Sequence, residues 1–172
     1  MQRRQRLRKP RGAALVEAAI MTTLFLSLVL GMLDLSLCLY RQHVASEAAR
    51  QGARAAVVHG YFAANSSSMN TWGPSPSYFP PPGSQSLYSG STTHTVQADD
   101  ASDALAAAIR PYLVGLDPNS VTLTIEWLDG DNQPGSRVRV SVSLTYTHLM
   151  TLVYCSDDWT SIGASSTMTI MH

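Results

Sequence analysis

A long apolar segment directly after a basic head constrains this chain more than any other feature. Residues Ala18 to Tyr40 number 23 and include one charged side chain, Asp34. As a helix the segment extends roughly 35 Å, enough to cross a hydrocarbon core of about 30 Å. A helix buried in a soluble core is shorter as a rule. The sequence therefore predicts a membrane-spanning helix.

The charge distribution predicts the direction in which the segment crosses. Six of the twelve basic residues lie in the first eleven positions, whereas ten acidic residues stand against six basic ones from Arg41 onward. A basic flank beside an apolar run follows the positive-inside rule, so we expect residues 1–12 to form a cytoplasmic leader. The basic head could bind nucleic acid in principle, but its position favours the membrane, and we predict no nucleic-acid partner.

Three kinds of export signal compete with a retained anchor. The segment SLCLYRQHV that ends the apolar run offers no good small-x-small cleavage site. Leu37 stands where a lipoprotein signal has a small residue before the cysteine, which makes that interpretation poor. The arginine pair in RRQRLR faintly resembles a twin-arginine signal and stays a minor alternative.

The two cysteines leave a disulfide open. Cys38 falls at the outer end of the spanning helix, and Cys155 lies far along the chain. A bond between them requires the outer domain to pack down on the membrane, and two unpaired thiols are the commoner case.

The helical pattern continues beyond the membrane to about Gly60, which predicts one transmembrane and extended helix over residues 13–60. Small residues recur along it at helical spacing and form a smooth stripe. The stripe packs either against other copies or partner helices, since small residues allow close approach, or against the chain's own sheet. The residues predicted to act in helix packing are Ala45, Ala48, Ala49, Gly52, Ala53 and Ala56.

Residues 61–97 are predicted to form a long loop. This stretch holds nine serines and five prolines, with GPSPSYFPPPGSQS at its centre, and it contains no charged residue. Six of the thirteen aromatic residues of the chain lie between Tyr61 and Tyr88. These aromatics either form a contact surface for a partner subunit or attach a solvated insertion to its own domain.

Residues 98–172 are predicted to form an extracytoplasmic α+β domain. Asp99 to Leu116 starts with acids and has helical apolar spacing, with Pro111 expected to kink or end the helix. Three later segments alternate with period two, and DGDNQPGS between the first two predicts an antiparallel pair. The predicted fold class is α+β, with a long spanning helix, a second short helix and a small antiparallel sheet of about three strands. The strand residues predicted to face inward are Val121, Leu123, Ile125 and Trp127; Val138, Val140, Val142, Leu144 and Tyr146; and Ile162, Ala164, Met168 and Ile170.

The sequence contains no recognisable catalytic constellation. The five histidines are scattered, and there is no H-E-x-x-H, no cysteine pair at metal spacing and no G-x-S-x-G. His148 continues the inward phase of its predicted strand, where one histidine is more often an edge residue than a ligand. We predict that the chain is not an enzyme and binds no metal or cofactor.

The start of the apolar segment resembles a processing site. Gly12, four further residues and then Glu17 at the mouth of the helix are similar to type IV pilins and pseudopilins, which a prepilin peptidase cuts after the glycine. Together RGAALVEAA, EAARQGARAAVV and the late ASSTM resemble the TadE-like proteins, pseudopilins of the tight-adherence (Flp) pilus system of bacteria. The resemblance implies a mature chain that begins at Ala13. Ala18 stands where the family usually has an aromatic residue.

Physical chemistry gives a separate reason for Glu17. An isolated acid at the centre of a bilayer costs about 2.5–3.5 kcal/mol, so it is kept near an interface or beside a partner. Cleavage after Gly12 would create a cationic amino group on Ala13, one helical turn away on the same chain or within reach from a neighbour. The alternative is that Glu17 merely lies in the headgroup region. Asp34, roughly 25 Å further along the helix, is expected to be solvated at the opposite interface.

These observations predict a minor pilin-like component of a pilus or secretion machine in the bacterial inner membrane. Its N-terminus is expected in the cytoplasm and its C-terminal domain outside, with incorporation into a pilus left open. The implied partners are the membrane, a prepilin peptidase, and other pilins or pilus assembly proteins. The alternative is an unprocessed, membrane-anchored binding module.

Overall fold

The computed structural model describes residues 11–60, 71–73, 86–87, 91–147 and 159–171. Residues 1–10 of the basic leader, His148, Cys155 and most of the predicted 61–97 loop lie outside the described residues. Whether Cys38 pairs with Cys155 therefore stays open. The helices and strands are α1 (Arg11–Val58), β1 (Thr71–Trp72), β2 (Ser86–Leu87), β3 (Thr93–Gln97), α2 (Ala104–Ile109), β4 (Val121–Trp127), β5 (Arg137–Thr147) and β6 (Trp159–Thr169).

The main sheet has four antiparallel strands in the order β3-β4-β5-β6. Ile125 of β4 pairs with Val140 of β5, and Val142 of β5 pairs with Ala164 of β6. The inward residues predicted for β4 and β5 are all buried, because strict alternation places them on one face of the pleated sheet. The three predicted strands and the antiparallel connection of the first two are confirmed.

The fourth strand, β3, lies inside the segment predicted to be a loop. It pairs antiparallel with β4 through contacts such as His94 with Ile125 and Val96 with Leu123. Its sequence, THTVQ, combines β-branched residues with one apolar inward position, Val96, and one histidine. The loop therefore ends before Thr93. Strands β1 and β2 form a separate parallel pair of two residues each.

The turn between β4 and β5 is held by its own polar groups. The carboxylate of Asp129 accepts hydrogen bonds from the backbone N–H of Arg137 at 2.7 Å and from its guanidinium. Gly130 has a φ of 82°, a left-handed conformation that glycine adopts without strain. Asn132, fully buried, donates from Nδ2 to the carbonyl of Trp72 at 3.0 Å. The turn thus ties the β1 strand to the main sheet.

The second helix is shorter than predicted. Asp103 caps its N-terminus by accepting from the backbone N–H of Leu105 at 2.9 Å and of Ala106 at 3.1 Å. Pro111 lacks the N–H needed to continue an α-helix, and the chain tightens into a 3-10 turn at Arg110–Tyr112. Tyr112, within this 3-10 turn, is exposed.

One apolar core joins the sheet to both helices. Leu105 and Ile109 of α2 are fully buried, and the C-terminal half of α1 lies across the inner face of β5 and β6. The predicted fold class is confirmed, with four strands in the main sheet instead of about three.

Candidate functional site

Helix α1 consists of two parts with opposite exposure. From Gly12 to Leu33 its side chains are exposed or partly exposed, and none of its most apolar 18-residue stretch is buried. The helix is long and apolar enough to cross a membrane. Its first part therefore has the composition of a helix that lies in lipid. The large exposed side chains here are Leu15, Val16, Ile20, Met21, Leu24, Phe25, Leu26, Leu28, Leu30, Met32 and Leu33.

The predicted processing residues lie at the exposed end of this part. Gly12, Ala13 and Glu17 are all exposed, and a Cβ added at Gly12 would have no atom within 4 Å. The bond between Gly12 and Ala13 lies in the first turn of α1, where backbone N–H groups have no partner within the helix. Ala13 and Glu17 lie four residues apart and so share one face of the helix. The role of these residues in processing stays a prediction.

The small-residue stripe lies in the second part of α1 and is covered by the chain itself. All six predicted packing residues are buried in the common core. At Gly52 the approach is closest: an added Cβ would lie 2.6 Å from Cδ1 of Ile109 and 2.9 Å from Cγ1 of Val140. Of the two alternatives for the stripe, the structure favours packing on the chain's own sheet and second helix. These side chains offer no exposed surface to a neighbouring helix.

The junction between the two parts is marked by Asp34. We expected this carboxylate to be solvated, and that prediction is wrong, because Asp34 is 7% exposed. The hydroxyl of Tyr146 on β5 donates to its carboxylate and lies 3.3 Å from its backbone carbonyl. The guanidinium of Arg41 stacks on the Tyr146 ring, with Cζ 4.6 Å from the ring centroid. The membrane-side end of the sheet is therefore fastened to α1 at Asp34.

The junction changes the acidity of Tyr146. Burial of the phenol, together with its hydrogen bond to Asp34, raises the pKa of Tyr146 to about 12. Sequence reasoning missed this contact because Asp34 and Tyr146 are 112 residues apart. The one available signal was a tyrosine at an inward strand position, since a buried hydroxyl usually has a hydrogen-bond partner.

A second contact joins the junction to the α2–β4 connection. The hydroxyl of Tyr40 donates to the carbonyl of Val114 at 3.0 Å. A Cβ on the next residue, Gly115, would lie 3.3 Å from the Tyr40 hydroxyl oxygen. Two separate parts of the domain thus contact α1 within the two turns from Asp34 to Tyr40.

Among the described residues the polar clusters are structural. No group of three or more His, Cys, Asp or Glu side chains there could hold a metal ion. His94 Nε2 lies 2.7 Å from the carboxylate of Asp103, the residue that caps α2. His59 stacks on Trp72 with ring centroids 4.6 Å apart and contacts the carbonyl of Ala55 through Nδ1. The absence of catalytic activity stays a prediction.

A long apolar helix, exposed in its first part and packed on an antiparallel sheet in its second, defines an α+β protein in which the described residues include one candidate membrane anchor. Residues 12–54 match the model of the protein family described as TadE-like protein. The match confirms the resemblance seen in the sequence, and it covers the predicted processing residues and most of the small-residue stripe. The ASSTM motif on β6 lies outside it. Neither the curated proteins nor the solved structures include a match to the chain.

The matched segment, 43 of the 172 residues, lies entirely within α1. Among the described residues, α1 is the one helix long and apolar enough to cross a membrane. What the anchor does in detail is a matter for proposal.

Proposed function

We propose that this protein is a minor pilin-like subunit of a tight-adherence pilus machine, processed by a prepilin peptidase between Gly12 and Ala13. Before processing, the basic leader lies in the cytoplasm, α1 crosses the inner membrane, and the α+β domain lies outside. The observation that carries the proposal is an exposed apolar helix with one acid, Glu17, five residues after an exposed glycine.

The position of the junction supports a revised membrane span. Thr145 and Ser161, paired with each other on the outer face of the sheet, are exposed beside the junction. Polar sheet surface does not lie in hydrocarbon, so the outer boundary falls on the cytoplasmic side of Asp34. A core of about 30 Å holds roughly 20 helical residues, which gives Ala14 to Leu33. The span expected from the sequence, Ala18 to Tyr40, moves toward the N-terminus.

The revised span places Glu17 inside the hydrocarbon, roughly 4.5 Å from its inner boundary. The carboxylate then needs a partner more than it would in the headgroup layer. The new amino group of Ala13 is one helical turn away and is cationic at neutral pH. In an assembly, the amino group of a neighbouring subunit can bind the same carboxylate, which would guide docking.

The proposal is tested by determining the N-terminus of the protein purified from its host membrane through a C-terminal tag. The expected mature chain begins at Ala13. Gly12→Leu is expected to retain the leader, and Ala19→Leu, which adds the same side chain at an exposed position further along α1, is the matched control. A wild-type protein that keeps Met1 while the pilus assembles would contradict the proposal. The alternative function, an unprocessed and membrane-anchored binding module, would then be favoured.

A second variant separates processing from docking. Glu17→Gln keeps the shape of the side chain and removes its charge. We expect Glu17→Gln to be cut at Gly12 but to assemble poorly, because the amide cannot form an ion pair with the Ala13 amino group. Normal assembly of this variant would show that the charge of Glu17 has no part in docking.

A further inference from the structure

The connection between α2 and β4 exposes apolar side chains at an unusual place. Pro111 to Leu116 reads PYLVGL and contains no charged residue. Leu113 is buried and fixes the connection to the core, whereas Val114 is 65% exposed and Tyr112 is also exposed. Single exposed apolar residues are common on protein surfaces, so exposure alone decides nothing. The location of this segment, termed the 111–116 loop, is what makes it informative.

Contacts with Tyr40 fix the height of the 111–116 loop along α1. Helical side chains lean toward the N-terminus of their helix, which for α1 is the membrane side. The hydroxyl of Tyr40 therefore lies nearer the N-terminus of α1 than its own Cα does, and it donates a hydrogen bond to the carbonyl of Val114. The backbone of Val114 accordingly lies level with the helix between Asp34 and Tyr40.

This level corresponds to the headgroup layer of the outer leaflet. A bilayer of about 40–45 Å with a core of about 30 Å leaves roughly 5–8 Å of headgroup on each side. Measured from the boundary at Leu33, that layer covers roughly the next four or five residues of α1. Leu35 and Leu37 are exposed on the helix at the same level, so the loop extends an apolar surface that is already there.

We propose that the 111–116 loop inserts Val114 and Tyr112 into the outer leaflet and so forms a second membrane contact beside the spanning helix. The partner of the exposed loop side chains is lipid, because the anchor keeps the loop at the bilayer surface, where the effective concentration of lipid is high. No charged side chain between Pro111 and Leu116 opposes insertion. With the helix as one contact and the loop as the other, the domain and α1, which share one core, cannot tilt or turn freely relative to the bilayer. The inference rests on the membrane anchoring in the proposed function.

The test uses the full chain in lipid nanodiscs, with an environment-sensitive NBD label on one introduced cysteine in a Cys38→Ser, Cys155→Ser background. Val114→Cys is the test position. Met171→Cys is the matched control, because Met171 is 70% exposed and follows β6 at the end of the sheet away from Tyr146. Leu24→Cys, in the exposed part of α1, reports whether the helix itself is in lipid.

We expect the label at position 114 to emit at shorter wavelength in nanodiscs than the label at 171, and to lose intensity when brominated lipids replace ordinary ones. If position 24 is quenched and position 114 is not, the loop proposal is overturned while the anchor stands. If position 24 is not quenched, the anchoring fails, and the loop proposal fails with it. A shift to shorter wavelength at 114 without quenching by lipid would mean that protein covers the loop, which also overturns the proposal.

Discussion

The two parts of α1 differ in side-chain size and exposure. The large apolar side chains are exposed and the small ones are buried, whereas a soluble amphipathic helix buries its large apolar side chains. Between Gly12 and Leu33 the helix carries large apolar side chains that no part of the described domain covers. Between Ala45 and Ala56 the face of the helix that packs on the sheet carries small side chains, and these are buried. Large apolar side chains are stable without protein cover when lipid is the solvent, whereas a helix pressed against a sheet has room only for small ones.

The comparison also shows which elements supply the apolar volume of the core. Alanines contribute little area of their own, so the large side chains facing them, such as Ile109 and Val140, account for most of the buried surface. The stripe works as a flat support that brings α2 and β5 close to the helix backbone. We therefore expect substitutions in the stripe to change the stability of the domain more than substitutions in the first part of the helix.

The largest effect is expected from a large residue in the stripe. Gly52→Leu must displace Ile109 and Val140, which already lie within 3 Å of where a Cβ would be. We expect the free energy of unfolding of the domain to fall by about 3 kcal/mol, the upper end for overpacking. Urea denaturation in detergent, followed by tryptophan fluorescence, measures it. Ala19→Leu in the exposed part is the control and should change the free energy by less than about 0.5 kcal/mol.

The next effect concerns the junction and depends on pH. Tyr146 has a pKa of about 12 in the folded protein and an ordinary value of 10.0. Between these values the folded state binds more protons than the unfolded state, so stability falls as pH rises from 10 toward 12. A shift of two units corresponds to roughly 2–3 kcal/mol. Tyr146→Phe has no phenol to titrate, and a wild-type decline no steeper than that of Tyr146→Phe would contradict the assigned junction.

A smaller effect is expected from the cap of α2, which positions Ile109 over the stripe. Asp103→Ala removes the acceptor for two backbone N–H groups and the contact with His94. We expect a loss of about 1 kcal/mol in domain stability. Asp117→Ala, which removes the acceptor for Asn119 at an exposed turn, is the comparison and should cost less. Equal losses of stability would mean that the α2 cap stabilises the core no more than the exposed turn at Asp117 does.

The smallest effect is expected in the exposed part of the helix. Leu24→Ala removes a large side chain that no described residue covers. Because lipid surrounds this position in the folded and unfolded domain alike, the free energy of unfolding should change by less than about 0.5 kcal/mol. Ile109→Ala removes a similar volume from the core and should cost at least about 2 kcal/mol. A large loss with Leu24→Ala would show that the exposed part of α1 also packs on the domain.

Most of the fold could be predicted from periodicity. The strands β4 and β5 alternate strictly between buried apolar and outward residues, so both their positions and their inner faces were correct. Strand β3 was missed because its only apolar inward residue is Val96 and it follows a serine- and proline-rich stretch. The second helix was predicted too long because Pro111 and the cap at Asp103, not its apolar spacing, set its ends.

The candidate site could be predicted only where it is local in sequence. The exposed helix, Gly12 and Glu17 lie within one segment, and the structure leaves them accessible as that pattern implies. The stripe had two equal interpretations, since small residues at helical spacing suit a sheet and a neighbouring helix alike. The Asp34 junction and the Tyr40–Val114 contact join residues 112 and 74 positions apart, and periodicity contains no information about such pairs.

The most direct test of the two environments of α1 is to map lipid contact along the helix. A photoreactive lipid is activated around the full chain in nanodiscs, and the labelled residues are located by mass spectrometry. We predict labels between Ala14 and Leu33, distributed around the helix, and none between Ala45 and Val58. Labels throughout Ala45 to Val58, or their absence from Ala14 to Leu33, would contradict the division of α1 at Asp34.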